Sequence, residues 1–227
     1  RLMVAPPLYP PELGGPATYA KLLEEGLPGL GIGVEIVKFS DVRHLPKIVR
    51  HIAYHNRLVR AAKTADAILA LDPVSVGLPA MKAAKKLKKP FFVKIVGDYA
   101  WEQGTQRFGV TASLDEFVKN KDVPLPVQVL RKIETRVAAE AKRVLVPSNY
   151  LKKIVVSWGI VPEKIHIIHN QVSIEKIGTV PNAVEELSGK RIVSVGRLVP
   201  WKNMRGVVDA VAKLRADGIP AALVIVG

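Results

Sequence analysis

The sequence predicts an α/β protein in which a parallel sheet is covered by helices on both faces. Short, nearly all-apolar segments alternate along the 227 residues with longer segments of helical periodicity. Strands buried on both faces have this continuous apolar character, whereas half-exposed strands alternate apolar and polar residues. Ligands of such sheets bind at the edge where the carboxyl ends of the strands meet. Side chains that directly follow the strands are therefore the first places to look for function.

Six strands and five helices are predicted in the first 170 residues. The strands are expected at residues 2–5, 34–37, 67–71, 91–96, 144–146 and 165–168. The helices are expected at residues 16–27, 46–63, 74–87, 126–141 and 148–158, the last of them capped by Ser148. Residues 97–112, between the fourth strand and the fourth helix, are expected to form a loop.

The apolar periodicity lapses between residues 171 and 189, where glycine, proline and polar residues predict a linker. A strand at 191–195, a helix at 204–217 and a strand at 223–226 follow it. We therefore expect a first domain at residues 1–170, a linker at 171–189 and a partial second domain at 190–227. One βαβ unit is too small to bury both faces of its sheet, so a homo-oligomer that covers the unpaired edges is also expected.

The composition restricts the classes of partner. Lys and Arg number 34 against 20 Asp and Glu, a formal net charge of +14, which indicates either anionic partners or a generally basic surface. Cysteine is absent, which excludes disulfides and thiolate metal sites and agrees with a cytoplasmic location. No apolar run approaches the roughly 20 residues of a membrane span. No aromatic-rich strand platform accompanies the basic residues, so no nucleic-acid partner is predicted.

Residues 196–203, with the sequence GRLVPWKN, form the most specific motif of the chain. They connect the predicted strand 191–195 to the helix 204–217. The N-terminus of a helix offers free N–H groups and the positive end of a dipole. Arg197 adds a planar fork of donors and Lys202 a compact charge, which together suit a diphosphate.

A second pair of glycines, Gly14 and Gly15, opens the first helix after the first strand. The absence of side chains allows an anion to approach the backbone closely, but an ordinary tight turn needs the same residues. The position of the pair at the end of a strand favours a ligand, and we predict that both glycines contact phosphate.

Carboxylates and aromatic residues alternate after the fourth strand, in Asp98, Tyr99, Trp101 and Glu102. Aromatic rings cover the apolar faces of sugars and carboxylates accept hydrogen bonds from hydroxyl groups. The alternative is a solvated loop in which Trp101 is a packing anchor. We predict that Tyr99, Trp101 and Glu102 bind a sugar.

The helix predicted at 46–63 is amphipathic. Its apolar stripe is expected to be Ile48, Ile52, Val59 and Ala62, and its other side to be Lys47, Arg50, Tyr54 and Arg57, extended backwards by Arg43. The basic side chains are either solvated or face an anionic membrane surface. The same two alternatives apply to the basic run at residues 82–89. His51 and His55 are one turn apart without a nearby acidic residue, so no metal site is predicted.

Several motifs together resemble the retaining GT-B glycosyltransferases of family 4. They are the Gly14–Gly15 pair, the Val146–Pro147–Ser148 turn, the strand ending in Ile168–His169–Asn170, and above all the segment 196–203. The resemblance implies two Rossmann-like domains, of which the first binds the acceptor and the second the nucleotide-sugar donor. It implies that Arg197 and Lys202 contact the donor diphosphate. It also implies that the acceptor lies against Tyr99, Trp101 and Glu102. Asp98 stands where the family often has a histidine near the reacting sugar, and is our predicted catalytic residue.

The activity implied is transfer of a sugar from a nucleotide-sugar to a sugar or lipid-linked acceptor with retention of configuration. The resemblance implies no bound metal and no cofactor, and a peripheral position on the inner face of the membrane. The donor domain of the family continues beyond residues 223–226 with glutamates that hold the sugar and ribose, so weakened transfer is expected. The alternative is a non-catalytic sugar- or phosphate-binding domain that associates through its incomplete half.

Overall fold

Contacts within the chain divide it into two units. The computed structural model describes residues 1–171 and 188–227, except for the side chains of residues 47 and 48. One unit comprises Arg1–Gly104 and Val110–Asn170, and the other Thr105–Gly109 and Gln171–Gly227. The predicted linker at 171–189 lies almost wholly outside the described residues, and the predicted domain boundaries stay predictions.

Six parallel strands form the sheet of the first unit. They are β1 (Leu2–Ala5), β2 (Val34–Ile36), β3 (Ala67–Ala70), β4 (Phe91–Lys94), β5 (Arg143–Val146) and β6 (Ile165–Ile167). Their order in the sheet is β2-β1-β3-β4-β5-β6. The chain runs from β1 outwards to β2 and then returns to β3, so the direction of winding reverses between β1 and β3. The crevice at such a reversal is where doubly wound sheets bind ligands.

Helices connect these strands. They are α1 (Gly15–Gly26), α2 (Lys47–Ala61), α3 (Gly77–Leu87), α4 (Tyr99–Arg107), α5 (Leu114–Phe117), α6 (Leu125–Glu140) and α7 (Asn149–Ser157). Short 3₁₀ turns lie at Pro28–Leu30, Ser40–Val42 and Pro162–Lys164.

Alternate residues of each strand enter two different cores. On β1, Met3 and Ala5 pack with α2, α3, α6 and α7, whereas Val4 packs on the opposite face with α1. The period of two along a strand produces this division, and both faces are apolar because helices cover both. The predicted α/β fold with a parallel sheet is confirmed.

One predicted loop is in fact a helix. Residues 97–112 contain α4, which begins directly after Asp98. Asp98 Oδ1 accepts a hydrogen bond from the N–H of Trp101, at 2.8 Å, and Glu134 Oε2 accepts from the N–H groups of Tyr99 and Ala100, at 3.0 and 3.3 Å. Glu134 is 36 residues away from Asp98, so local sequence carried little sign of this helix start.

The apolar stripe predicted on the second helix is wrong in part. Tyr54, expected on the polar side, is fully buried with Leu58 and Ala62, whereas Ile52 is 58% exposed. The hydroxyl of Tyr54 donates a hydrogen bond to the carbonyl oxygen of Val37 at 2.7 Å. A tyrosine can enter a core when its O–H finds such a partner, and this one turns the buried side of α2 towards Tyr54 and Leu58.

Residues 188–227 of the second unit contain a two-stranded parallel sheet, one α-helix and a 3₁₀ turn at Pro200–Lys202. Strands β7 (Lys190–Val195) and β8 (Ala221–Val226) pair along their whole length, and α8 (Met204–Ala216) connects them. Val195 is 73% exposed, and Val193 and Val226 are also exposed. The homo-oligomer expected to cover such residues stays a prediction.

No helix in the described parts of the chain is long and apolar enough to cross a membrane.

The side of α2 that faces the core is tested by a pair of truncations. Leu58→Ala empties a fully buried site and is expected to lower the free energy of unfolding by about 2–5 kcal/mol. Ile52→Ala, on the same helix but largely exposed, is expected to change it by less than about 0.5 kcal/mol. Urea denaturation monitored by circular dichroism measures both free energies of unfolding. A larger decrease for Ile52→Ala than for Leu58→Ala would support the apolar stripe predicted from the sequence.

Candidate functional site

The turn between β1 and α1 leaves the helix N-terminus without a side-chain cap. Gly14 has φ 145°, a conformation that favours glycine, and no acidic residue lies in the first turn of α1. A Cβ atom at Gly15 would meet nothing within 4 Å, so the space beside this helix end is open. The turn has the geometry that an anion needs, and phosphate contact by Gly14 and Gly15 stays a prediction.

Lys94 is a buried cation that the sequence reasoning missed. It ends β4 on the face that α1 covers and is only 2% exposed. Its Nζ lies 4.0 Å from the ring centroid of Tyr19 and donates a hydrogen bond to the carbonyl oxygen of Ile168 at 3.4 Å. Burial lowers the pKa of Lys94, and no carboxylate forms an ion pair with it among the described residues. The sequence feature that could have identified Lys94 is its position directly after the apolar run 91–93, within a predicted buried strand.

Two buried carboxyl groups lie beneath the start of α4. Asp98 is 1% exposed, and its Oδ2 accepts a hydrogen bond from Trp158 Nε1 at 3.3 Å. Burial raises the pKa of Asp98. Burial, and then the charge of Asp98, raise the pKa of Glu134 well above its usual range. Glu134 Oε1 is buried without a hydrogen-bond partner in the described structure. A protonated Glu134 beside an ionised Asp98 is the arrangement that these surroundings favour.

The catalytic role predicted for Asp98 is not tested by this geometry and stays a prediction. Both of its oxygens accept hydrogen bonds from the protein, one at the start of α4 and one from an indole. These bonds give Asp98 a direct part in placing α4.

The residues predicted to bind an acceptor all lie on α4. Tyr99 accepts a hydrogen bond from the hydroxyl of Ser75 at 3.3 Å, so two strand ends meet at its ring. Trp101 is half-buried, donates from Nε1 to the carbonyl oxygen of Ala112 at 2.9 Å and packs in a small core. Glu102 approaches Gly97 so closely that a Cβ atom there would collide with its Oε1. Acceptor binding by Tyr99, Trp101 and Glu102 stays a prediction.

A cavity of about 580 Å³ lies within the first unit, between α2, α3 and α6. Arg50 from α2 and Tyr99 from α4 both line it. From the sequence, Arg50 is predicted to face a membrane and Tyr99 to bind an acceptor, on two different surfaces. The fold brings them to the same cavity.

The other basic residues predicted to face a membrane have different surroundings. Arg43 forms an ion pair with Glu12 and donates to the carbonyl oxygen of Pro7, and Arg57 forms an ion pair with Asp41 at 2.8 Å. The side chain of Lys47 lies outside the described part. Membrane contact through these residues stays a prediction.

His169, at the end of the sixth predicted strand, has a defined tautomer. Its Nδ1 donates to the carbonyl oxygen of Pro147 at 2.9 Å, which leaves Nε2 as the atom available to a ligand. Ser148 caps α7 as predicted, since its hydroxyl accepts from the N–H of Leu151 at 3.2 Å.

In the second unit, Arg197 and Lys202 flank the turn from β7 into α8. Both side chains are exposed, and neither has a hydrogen-bond or ion-pair partner for its charged group among the described residues. Gly196 has φ 154°, and a Cβ atom on it would lie 4.0 Å from Lys202 Cε. Asn203 caps α8 by accepting from the N–H of Gly206 at 3.3 Å, and no acidic residue lies in the first turn. The region can attract an anion, and diphosphate binding stays a prediction.

The sheet order and the glycine turns define a doubly wound, Rossmann-like α/β protein. Residues 13–176 match the model of glycosyltransferase family 4. The chain therefore belongs to glycosyltransferase family 4, as its motifs implied. No curated protein matches the sequence.

Solved structures with the same fold include HepE and WaaB. The Anabaena protein HepE, solved in complex with UDP and glucose, has a TM-score of 0.66 at 13% identity, over 99% of this chain and 60% of HepE. The lipopolysaccharide outer core galactosyltransferase WaaB has a TM-score of 0.52 at 18% identity, over 100% of this chain and 68% of WaaB. The chain thus spans about 60% of the length of HepE.

An enzyme of a different reaction class has the fold as well. UDP-GlcNAc 2-epimerase from Methanocaldococcus jannaschii has a TM-score of 0.51 at 12% identity, over 99% of this chain and 64% of the epimerase. At such identities the likeness shows the fold, and the GT-B fold expected from the sequence is confirmed.

The protonation of Glu134 is tested by Glu134→Gln, which keeps the shape of the side chain without a charge. Because the folded protein holds this proton more tightly than the unfolded chain, stability is lost as the pH rises from about 4.3 towards the raised pKa. The variant escapes this loss. The free energy of unfolding of the variant is therefore expected to rise relative to that of the wild type as the pH increases above about 4.3.

The matched control is Glu163→Gln, at an exposed glutamate. Its difference from the wild type, measured in the same denaturant titrations, is the baseline for the difference measured with Glu134→Gln. A difference for Glu134→Gln that does not change with pH would mean that the buried carboxyl is ionised throughout.

Proposed function

We propose that the protein takes part in transfer of a sugar from a nucleotide-sugar to a sugar or lipid-linked acceptor, with retention of configuration. Membership of glycosyltransferase family 4 supports a transferase. The observation that carries the donor side is the pair Arg197 and Lys202, two exposed cations without a partner in the described structure at a turn that opens a helix.

These cations are suited to the leaving group of the reaction. When the bond between the sugar's anomeric carbon and the diphosphate oxygen breaks, negative charge develops on the diphosphate. In this proposal the forked guanidinium of Arg197 and the ammonium of Lys202 neutralise it together with the positive end of α8. Gly14 and Gly15 open another helix, α1, whose N-terminus has no side-chain cap and is free for phosphate.

On the acceptor side, α4 presents Tyr99 and Glu102 at the carboxyl edge of the sheet. The acceptor hydroxyl attacks the anomeric carbon from the face that the diphosphate leaves, and its proton passes to the departing diphosphate oxygen. Bond making and bond breaking on one face give a product with the configuration of the donor. Asp98 contributes as the residue that positions α4, since its two oxygens are engaged within the protein.

The donor site is tested with UDP, the nucleotide bound in the HepE structure. Arg197→Ala is expected to weaken UDP binding about tenfold, the loss typical of one charge-assisted hydrogen bond, while uridine binds equally to variant and wild type. Isothermal titration calorimetry measures both affinities. Lys213→Ala, which removes an exposed cation from the far end of α8, is the control and should leave UDP binding unchanged.

Equal weakening by Arg197→Ala and Lys213→Ala would show that UDP responds to overall charge, and would remove the donor site from this turn. Retention is tested separately by proton NMR of the product formed from UDP-glucose. The α-configured donor should give an α-configured product, and a β-configured product would contradict the proposed stereochemistry.

A further inference from the structure

The cavity between α2, α3 and α6 has an apolar interior. Phe39, Leu78, Leu130 and Ile133 are among its lining residues, and its volume of about 580 Å³ lies in the range of small-molecule sites. An inorganic ion is too small to fill this space, and apolar walls do not solvate one. The occupant must therefore have an apolar body.

The charged residues that line the cavity, Arg50 and Lys82, are both basic, and no described Asp or Glu lines it. His51 and His55 also contribute to its wall. Burial lowers the pKa of His51. His55 Nδ1 donates to the carbonyl oxygen of Pro79 at 3.2 Å, which leaves Nε2 uncommitted. This charge distribution selects an anionic head group for the occupant.

Arg50 is the basic residue with the clearest need for a ligand. Its Nε is buried without a hydrogen-bond partner, and no described carboxylate pairs with its guanidinium. Arg43 and Arg57, by contrast, each form an ion pair. A buried donor of a charged group that lacks an acceptor is costly, and an anionic oxygen in the cavity would satisfy it.

Apolar surface continues from the cavity to the outside along α2. Ile52 lines the cavity and is 58% exposed, and Val49, three residues earlier on the same helix face, is 49% exposed. A chain longer than the cavity would leave it past these two residues. Such a path indicates a hydrocarbon chain that belongs to a lipid surface.

We propose that this cavity binds a phosphate-headed membrane lipid, with the head group at Arg50 and Lys82 and the chain against the apolar wall. Tyr99 lines the same cavity and is a residue of the proposed acceptor site. The lipid is accordingly the acceptor class of this protein, an assignment that rests on the proposed function. The binding itself does not depend on transfer.

The binding is tested with octyl phosphate below its micelle-forming concentration, by isothermal titration calorimetry on the full chain. Octyl phosphate should bind at least about tenfold more tightly than 1-octanol or inorganic phosphate, since only it engages both the cations and the apolar wall. Inorganic phosphate binding as tightly as octyl phosphate would reduce the cavity to a simple anion site and overturn the proposal.

Arg50→Gln should weaken octyl phosphate binding about tenfold. Arg60→Gln removes an equal charge from an exposed position of α2 outside the cavity and should have no effect. Leu130→Trp, which fills the cavity, should also weaken binding, and circular dichroism would verify that each variant is folded. Equal weakening by Arg50→Gln and Arg60→Gln would mean non-specific attraction and would overturn the proposal.

Vesicles distinguish the cavity from a charged surface. Phosphatidylcholine vesicles that contain phosphatidic acid should bind the wild-type protein. Octyl phosphate should displace the protein from these vesicles, and Leu130→Trp should weaken its binding to them. Vesicle binding that survives both would overturn the proposal. UDP affinity, measured on the same samples, should be unchanged in the cavity variants. A wild type that binds octyl phosphate but not UDP would contradict the proposed transferase and leave the lipid site standing.

Discussion

The candidate site depends on the hydrogen bonds that the buried carboxyl of Glu134 accepts at the start of α4. Glu134 accepts hydrogen bonds from the N–H groups of Tyr99 and Ala100, while Asp98 accepts from that of Trp101. Three donors at a helix N-terminus are thereby satisfied by two acidic side chains with almost no access to water. Burial and the charge of Asp98 raise the pKa of Glu134, which favours the protonated form of this carboxyl. The position of Tyr99 at the cavity follows from this arrangement.

The strands were predictable because their evidence is local. The neighbouring central strands β1 and β3 are short, wholly apolar runs, and β1 has the predicted bounds. The start of α4 was not predictable in this way, because Glu134 belongs to another helix and reaches α4 only after folding. The sequence predicts Tyr54 on the wrong side of α2 for a similar reason. Its hydroxyl can be buried because it donates a hydrogen bond to the carbonyl oxygen of Val37, which is distant along the chain.

The site residues also divide into those with local sequence evidence and those that only the fold brings together. Arg197, Lys202 and the glycine turns could be chosen from sequence, because a strand end, a glycine and a helix start are adjacent along the chain. The meeting of Arg50 with Tyr99 at one cavity could not, since about fifty residues separate them and the sheet order decides which helices become neighbours. The excess of positive charge follows from the composition, but the ion pairs of the structure show which basic side chains are neutralised and which are not. Arg43 and Arg57 are neutralised, whereas Arg50, Arg197 and Lys202 have no partner in the described structure.

The most direct test of this account is infrared difference spectroscopy of the wild type against Glu134→Gln at neutral pH. The account predicts a carbonyl band of a protonated carboxyl group in the wild type, shifted in deuterium oxide and absent from the variant. A spectrum without that band, with carboxylate absorption lost in the variant instead, would show that Glu134 is ionised. The proton beneath α4 would then not exist, and a different interaction would have to place the helix.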